Sequence, residues 1–347
     1  MLKELKLGTS NTKKDVTLDF NRVPHLLVAG STGSGKSNFI HSMIRSVIMS
    51  NDPSTVRLIL VDTKYVELGL YDGIPQLFEP VVHTSDDFLN TLFRLDSEIE
   101  TRLKAFKTSK VRNIEEYNSN ASKALPYILI IIDELADLFA KNPKIVDELT
   151  RILNISRAVG VHMVLATQRP SSDIISGGLK ANVPGRIAFR TASSVDSHII
   201  LGISGAEEIR NPGQALYYPV DMAQAILIDT PLISLSELRS FIDSLAVKIQ
   251  GGRDLADVVP RSLDKMIIGG VGYHTITEAD YLMCVILFQK EYVDKRIDRG
   301  VLIDALCSYT KATLMLIHML DTGLIANSAI ENEYEWNKGV ASSAIGN

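Results

Sequence analysis

Short apolar runs alternate with longer amphipathic stretches along the first 250 residues. Continuous apolar runs, typical of buried strands, occupy residues 25–29, 56–61, 127–132 and 161–166, with shorter runs at 186–189 and 225–228. Apolar residues recur at helical spacing over residues 37–49, 88–107 and 146–159. Strands that alternate with helices predict an α/β domain whose mainly parallel sheet is covered on both faces.

The pattern changes near residue 250, which predicts a first domain over residues 1–250. Glycine-containing breaks near 250–253 and 268–272 indicate a linker over 251–272. Three short helical patterns (278–291, 299–308 and 310–320) and an expected hairpin over 324–336 follow. They favour a small α+β winged-helix-like domain over 273–336, with a helical cap on the first domain as the alternative. Residues 337–347 are expected to form a flexible tail.

Composition and charge exclude several classes of protein. The 347 residues are 46% hydrophobic and 22% charged, a globular profile that excludes a disordered or fibrous chain. Two cysteines are too few for a disulfide framework or a four-ligand zinc site, and they fit a reducing cytoplasm. The apolar runs are far shorter than the roughly 20 residues of a membrane-spanning helix. The net charge of −5 requires any nucleic-acid contact to be local.

A glycine-rich segment follows the first buried run and matches the phosphate-loop pattern G-x-x-x-x-G-K-[ST] at every fixed position. It consists of Gly30, Ser31, Thr32, Gly33, Ser34, Gly35, Lys36 and Ser37. Such a loop between a strand and a helix turns backbone N–H groups toward phosphate oxygens, so we expect ATP to bind here. Lys36 is expected to contact the β- and γ-phosphates, and the Ser37 hydroxyl to ligate Mg²⁺. The alternative is a glycine turn that matches by chance.

Polar residues follow two later apolar strands. Asp133 and Glu134 end the third run, where Asp133 is expected to hold Mg²⁺ and Glu134 to polarise the attacking water. Gln168 follows the fourth run and is predicted to sense the γ-phosphate, with Thr167 as a weaker candidate. A solvated strand end is the alternative for each pair. Asp62 and Lys64 end the second run, either as a further site pair or as an exposed ion pair.

A longer series of ordered motifs resembles the motor of the FtsK/SpoIIIE DNA translocases. It includes Ala-Thr-Gln-Arg-Pro at 166–170 and Ile-Asp-Glu-Leu-Ala-Asp-Leu at 132–138. The remaining matches lie at 24–37, 62–64, 67–68, 71–75, 111–114, 117–118, 125–127, 157–162, 179–184, 186–189, 196–197 and 205–207. The resemblance covers about residues 5 to 245 and implies a RecA-like ATPase that assembles as a ring, usually a hexamer, around double-stranded DNA.

The resemblance also implies residue roles that spacing alone does not give. Arg157 matches the family's arginine finger, which reaches the ATP of a neighbouring subunit; a surface helix arginine is the alternative. Arg169 and Lys180 match the segment that faces DNA, and Arg112 and Asn113 match the other loop near the pore. A few such cations per subunit, repeated around a ring, hold phosphates despite the negative net charge.

The chain departs from the family pattern at Val195 and in the family segments that it lacks. Val195 stands where the family commonly has a lysine near the ATP of the neighbouring subunit. It therefore stays open which residues act on that ATP in trans. The family's membrane-spanning region and linker are absent from this sequence, so we expect a stand-alone cytoplasmic motor from a mobile element, a virus or a conjugation system. Residues 273–347 hold ten Asp or Glu against six Lys or Arg, which favours a protein partner over DNA reading by the C-terminal domain.

Three functions therefore follow from the sequence. The leading hypothesis is an ATP hydrolase that moves duplex DNA through a ring, with ATP at the subunit interfaces. The alternative is an FtsK-like motor that drives protein secretion, which the arginines of the pore segments disfavour. The third is a scaffold that binds ATP without hydrolysing it, which the intact Lys36, Asp133 and Glu134 argue against.

Overall fold

The computed structural model describes residues 4–219 and 224–250, together with three short strands nearer the C-terminus. The chain divides into two compact units, Met1–Gly251 and Gly252–Asn347. In the first unit the structure describes side chains up to residue 245.

A nine-stranded sheet forms the first unit. Its strands, in chain order, are β1 (Leu5–Ser10), β2 (Asp15–Leu18), β3 (His25–Ala29), β4 (Val56–Val61), β5 (Tyr127–Ile132), β6 (Val161–Thr167), β7 (Gly185–Phe189), β8 (Gln214–Tyr218) and β9 (Ile226–Asp229). The order across the sheet is β2-β1-β9-β8-β7-β3-β6-β5-β4. The strands from β7 to β4 are parallel to their neighbours. The strands from β2 to β7 pair antiparallel.

Helices follow most of the parallel strands. They are α1 (Lys36–Ser50), α2 (Ser85–Ser109), α3 (Ile114–Asn120), α4 (Leu135–Lys141), α5 (Lys144–Ile155), α6 (Gly177–Asn182), α7 (Ser194–Leu201) and α8 (Leu235–Gln250). Among the residues that the structure describes, single-turn 3₁₀ helices lie at Gly69–Tyr71, Arg157–Val159 and Ala206–Glu208. The α/β class predicted from the sequence is confirmed.

The sequence predicted the parallel half of the sheet better than the antiparallel half. β3, β4 and β5 have the predicted bounds, because every residue in them is buried and each reads as a continuous apolar run. β8 alternates between buried and half-buried residues, and β2 alternates between polar and apolar residues, so neither strand reads as a continuous apolar run. The sheet is therefore mixed, with a parallel half of five strands and an antiparallel extension of four.

The helix predicted over 146–159 ends early. α5 stops at Ile155, and a 3₁₀ turn then carries Arg157. The amide of Val161 donates to the Ser156 carbonyl, and Gly160 adopts a left-handed conformation with φ of 74°. This conformation turns the chain directly into β6, so Arg157 lies on a tight turn rather than on a helix.

Two buried histidines, His25 and His162, lie at the amino ends of the central strands β3 and β6. The amide of Met163 donates to Nδ1 of His25 at 3.1 Å, so the ring proton is on Nε2, 3.1 Å from the Ser156 hydroxyl. Nδ1 of His162 donates to the Pro24 carbonyl at 3.2 Å. Burial, followed by the neighbouring His162, lowers the pKa of His25 to about 3, and burial lowers the pKa of His162 to about 4. Both rings are therefore neutral near pH 7.

Three strands of the second unit are described: β10 (Ile297–Asp298), β11 (Ile325–Asn327) and β12 (Glu333–Trp336). They form an antiparallel sheet in the order β10-β12-β11, which confirms the pairing expected over 324–336. The three predicted helices, the linker and the tail lie outside the described residues, so the winged-helix interpretation stays a prediction. Within the described part of the chain, no helix has the length and apolar character needed to cross a membrane.

Candidate nucleotide site

The candidate residues meet at one edge of the sheet. The phosphate loop follows β3, the Asp133–Glu134 pair follows β5, and Gln168 follows β6. These three strands are adjacent and parallel, so their carboxyl ends meet at the same edge. Ligands of open α/β sheets bind at this edge, where loops and helix N-termini converge.

Two glycines of the phosphate loop have backbone conformations that side chains disfavour. Gly33 has φ of 74° and Gly35 has φ of 107°. A Cβ on Gly35 would lie 2.6 Å from the nitrogen of Gly213, so the loop has no room for one. Gly35 caps α1, whose first turn begins at Lys36. The first-turn amides have no acceptor within the helix and are available to an anion in the loop.

Lys36 and Asp133 form a buried ion pair. The Lys36 ammonium donates to the Asp133 carboxylate and to its backbone carbonyl, each at 2.8 Å. Both side chains are 3% exposed. The structure thus joins the phosphate loop to the end of β5 through the two residues that the sequence assigned to the phosphates and to the metal.

Ser37 and Asp133 offer the type of oxygen ligand that magnesium binds. The Ser37 hydroxyl on α1 and the Asp133 carboxylate are the hard ligands that Mg²⁺ prefers. The described residues include no group of three or more His, Cys, Asp or Glu placed to hold a metal. An ion with two protein ligands takes its remaining ligands from phosphates and water, as Mg²⁺ does at nucleotide sites. Hydrogen bonds, first from His41 and then from Ser37, lower the pKa of Glu67, so the Glu67 carboxylate also lies beside Ser37.

Glu134 is held by donors from two neighbouring strands. The Thr167 hydroxyl donates to Oε1 at 2.6 Å, and the Gln168 amide lies 3.1 Å from each carboxylate oxygen. The Lys64 ammonium lies 3.5 Å from Oε2. Glu134 is 3% exposed, so this buried carboxylate has a hydrogen-bond donor on each of its oxygens.

Gln168 reaches the phosphate loop itself. Its side-chain carbonyl accepts from the Thr32 hydroxyl at 2.8 Å, while its backbone amide holds Glu134. Gln168 therefore contacts the phosphate loop through its side chain and Glu134 through its backbone amide. The predicted sensing role is therefore compatible with this position.

Comparison with known proteins identifies the family. The profile of the FtsK/SpoIIIE family matches residues 2–172. The DNA translocase FtsK of Lactiplantibacillus plantarum is 38% identical over 286 residues, which cover 79% of this chain and 36% of the relative. The DNA translocase SpoIIIE of Bacillus subtilis is 39% identical over 248 residues, which cover 68% and 32%. The domain belongs to the FtsK/SpoIIIE family. The chain spans about a third of the length of these FtsK and SpoIIIE relatives.

Solved structures share the fold. The pCW3 conjugation coupling protein TcpA, in a monomer form with ATPγS, is 27% identical, with a TM-score of 0.63 over 71% of each chain. ATPases 2 and 3 of EssC from Geobacillus thermodenitrificans are 17% identical, with a TM-score of 0.65 over 85% of this chain and 55% of theirs. The likeness to EssC shows the P-loop ATPase fold alone.

Arg157, the finger suggested by the FtsK/SpoIIIE resemblance, lies at the opposite edge of the sheet. It precedes β6, whereas the phosphate loop follows β3, and the two strands are parallel. The seven residues of β6 span roughly 20 Å, so Arg157 is too far away to contact the nucleotide of its own subunit. The guanidinium is exposed and donates to the Asn21 carbonyl at 2.7 Å.

The four residues suggested for DNA contact do not form one cluster. Arg169 is exposed beside Glu134, at the carboxyl edge of the sheet. Arg112 is exposed at the edge formed by the amino ends of the parallel strands. Asn113 caps α3, because its side chain accepts a 2.9 Å hydrogen bond from the Glu116 amide. Lys180 is half-buried on α6, where its ammonium donates to the Ile199 carbonyl at 3.2 Å. Asn113 and Lys180 thus have local structural roles, and DNA contact by these four residues stays a prediction.

The sequence undervalued two residues of the site. Thr167 was the weaker of two candidates, yet it makes the shortest bond to Glu134. Lys64 was as consistent with an exposed turn as with the site, and it lies beside both Glu134 and Asp137. Lys64 follows β4, the neighbour of β5, so its position after an adjacent parallel strand was the available signal.

Proposed function

We propose that this chain is an ATP-driven translocase of double-stranded DNA. The observation that carries the proposal is the similarity of 36–42% identity to curated DNA translocases. Lys36, Asp133 and Glu134 support the proposal because they are neighbours at the carboxyl ends of β3 and β5 and are of the residue types that ATP hydrolysis requires. The cytoplasmic location expected from the sequence is part of the proposal, since such a motor needs cytoplasmic ATP.

Each part of the site has an assigned step. The amides of the phosphate loop and Lys36 bind the β- and γ-phosphates. Ser37 and Asp133 would hold Mg²⁺, which neutralises charge on the phosphate oxygens. Glu134 accepts a hydrogen bond from the attacking water and orients it. Gln168 contacts the γ-phosphate with its side chain and Glu134 with its backbone amide, so it links the presence of the γ-phosphate to the position of Glu134.

The proposed motor works as a ring, a hexamer by family resemblance, with ATP between subunits. Arg157 lies on the edge opposite the phosphate loop, where it faces the nucleotide of the next subunit. An arginine finger supplied in this way stabilises the transition-state charge and contributes about 10³- to 10⁵-fold in rate. Val195 is 65% exposed in the first turn of α7. Because its side chain is uncharged, this position adds no positive charge near the ATP of the neighbouring subunit.

The proposed substrate is the DNA backbone rather than a base sequence. Exposed arginines, with Arg169 beside the catalytic edge, contact phosphates, which carry no sequence information. The likeness to TcpA over 71% of both chains favours a conjugation-type or mobile-element motor among the translocases. A protein partner bound by the acidic C-terminal domain completes the proposal.

Steady-state ATP hydrolysis with and without linear duplex DNA tests the proposal. We expect strong stimulation in the wild type at a protein concentration that assembles rings. The variants Lys36→Ala and Glu134→Gln should lose it, whereas Lys104→Ala, which removes an exposed charge on α2, should retain it. An assembled ring that no duplex stimulates would refute the DNA motor and favour the protein-secretion alternative.

Mixing two inactive variants tests the trans role of Arg157. Arg157→Ala subunits keep an intact phosphate loop, and Lys36→Ala subunits keep an intact finger. Each variant alone should be inactive. In mixed rings, however, some interfaces combine an intact phosphate loop from one subunit with an intact Arg157 from the next. Partial recovery of activity is the expected result. Failure of the mixture to recover, in rings shown to contain both variants, would contradict trans catalysis.

A further inference from the structure

The Thr167 hydroxyl joins Glu134 to the backbone of Arg169. It donates to Oε1 of Glu134 at 2.6 Å and accepts from the Arg169 amide at 3.1 Å. A carboxylate only accepts, so the single hydroxyl proton points to Glu134 and a lone pair receives the Arg169 N–H. Thr167 is fully buried, so no water competes for either bond.

Glu134 has few acceptor sites left in this arrangement. A carboxylate has about four lone-pair positions, and Thr167, Gln168 and Lys64 supply donors to it. Both oxygens are held by donors at the carboxyl ends of β6 and β4, so an attacking water has to compete with these donors for Glu134. This conformation therefore corresponds to a resting state, in which hydrogen bonds from neighbouring residues hold the Glu134 carboxylate.

We infer that Thr167 is a positioning residue that couples contact at Arg169 to the release of Glu134. Arg169 follows Thr167 by two residues and is exposed, so a phosphate that binds its guanidinium pulls on the backbone that Thr167 holds. A shift of the Arg169 amide removes the bond that fixes the orientation of the Thr167 hydroxyl. The hydroxyl can then turn away from Oε1 of Glu134, which leaves the Gln168 amide as the remaining donor there and opens an acceptor position for water. This inference rests on the proposed function, in which Arg169 contacts DNA and Glu134 orients the water.

A purely structural Thr167 would satisfy the buried carboxylate and do nothing more. Removing its hydroxyl would then lower the ATPase rate with and without DNA in the same proportion. Coupling predicts a different outcome, because loss of the hydroxyl frees Glu134 before DNA arrives. The diagnostic quantity is therefore the ratio of the DNA-stimulated rate to the basal rate.

Thr167→Val tests the coupling in the full chain, because it removes the hydroxyl and keeps the β-branched shape. The assays are ATP hydrolysis with and without saturating linear duplex DNA, DNA binding in ATPγS, and the thermal unfolding midpoint. We expect a raised basal rate and a stimulation ratio reduced by about tenfold, the effect of one hydrogen bond to a charged group. DNA affinity should not change. Thr167→Ser, which keeps the hydroxyl, should keep the wild-type ratio.

The outcomes separate this inference from the proposed function. A wild type that DNA stimulates, with an unchanged ratio in Thr167→Val, overturns the coupling and leaves the motor intact. An assembled wild type that DNA does not stimulate overturns the proposed function, and the coupling with it. Should Thr167→Val not fold, Thr167→Ala gives the same comparison, and an unchanged ratio there is equally a refutation.

Discussion

The two buried histidines predict a loss of stability in mild acid. The folded protein holds His25 and His162 neutral, with pKa values of about 3 and about 4, against 6.5 for an exposed histidine. Between these values the unfolded chain binds protons that the folded chain does not. Stability is therefore fully present above about pH 6.5 and is lost as the pH falls toward the folded pKa values.

The size of the effect follows from the same pKa values. At about pH 5 an unfolded histidine gains about 2 kcal/mol from protonation that the buried ring does not share. The two rings together would lower the free energy of unfolding by about 4 kcal/mol. Carboxylates titrate mostly below this range, so the window between about pH 6.5 and pH 5 reports chiefly on histidines.

Urea denaturation at a series of pH values measures the loss. The unfolding midpoint should fall by about 1 M or more between pH 7 and pH 5. His162→Phe removes one titrating group, and its ring should pack beside Phe20 and Tyr127, which already contact His162. This variant should lose about half of the pH dependence. His198→Gln, a change at an exposed histidine on α7, is the matched control and should not alter it.

Two results would refute this reasoning. The first is a midpoint that does not change between about pH 6.5 and pH 5, since it would mean that neither ring resists protonation. The second is the full wild-type loss in His162→Phe, since it would assign the dependence to other groups.

Three further substitutions test the site and its support. Gly35→Ala places a Cβ 2.6 Å from a backbone nitrogen at φ of 107°, so binding of a fluorescent ATP analogue should weaken at least tenfold. Lys64→Met removes a half-exposed partner of Glu134 and should raise basal ATP hydrolysis by no more than about threefold, while Lys64→Arg should not. Arg102→Met leaves a carboxylate on α2 unpaired and should lower the unfolding free energy by about 3 kcal/mol in urea, whereas Lys104→Met should not change it.

Much of the fold and part of the site were predictable because their signals are local. A continuous apolar strand followed by an acidic pair indicates both a buried β5 and a group at its carboxyl end. The glycine pattern likewise fixes a loop between β3 and α1. The antiparallel strand β8 was not predicted, because its five residues alternate between buried and half-buried positions. Such a short alternating segment resembles a loop with scattered apolar residues.

The contact between Glu134 and Thr167 was not predictable, because it depends on the register of two strands. Ile132 on β5 pairs with Leu165 on β6. The same register carried two residues further places Glu134 opposite Thr167. Nothing in either segment encodes that offset, which is set by packing across the whole sheet. The same reasoning explains why Lys64 was as consistent with an exposed turn as with the site.

The separation of Arg157 from the phosphate loop has a consequence for assembly. In the proposed motor, the contact that completes a site joins two different surfaces, and such a heterologous contact leaves one unused surface at each end of any open chain. An isolated subunit therefore holds two halves of different sites, and an open row of subunits always has one site without a finger. Closure into a circle is the arrangement that completes every site. Specific activity should consequently rise with protein concentration until closure and then become constant.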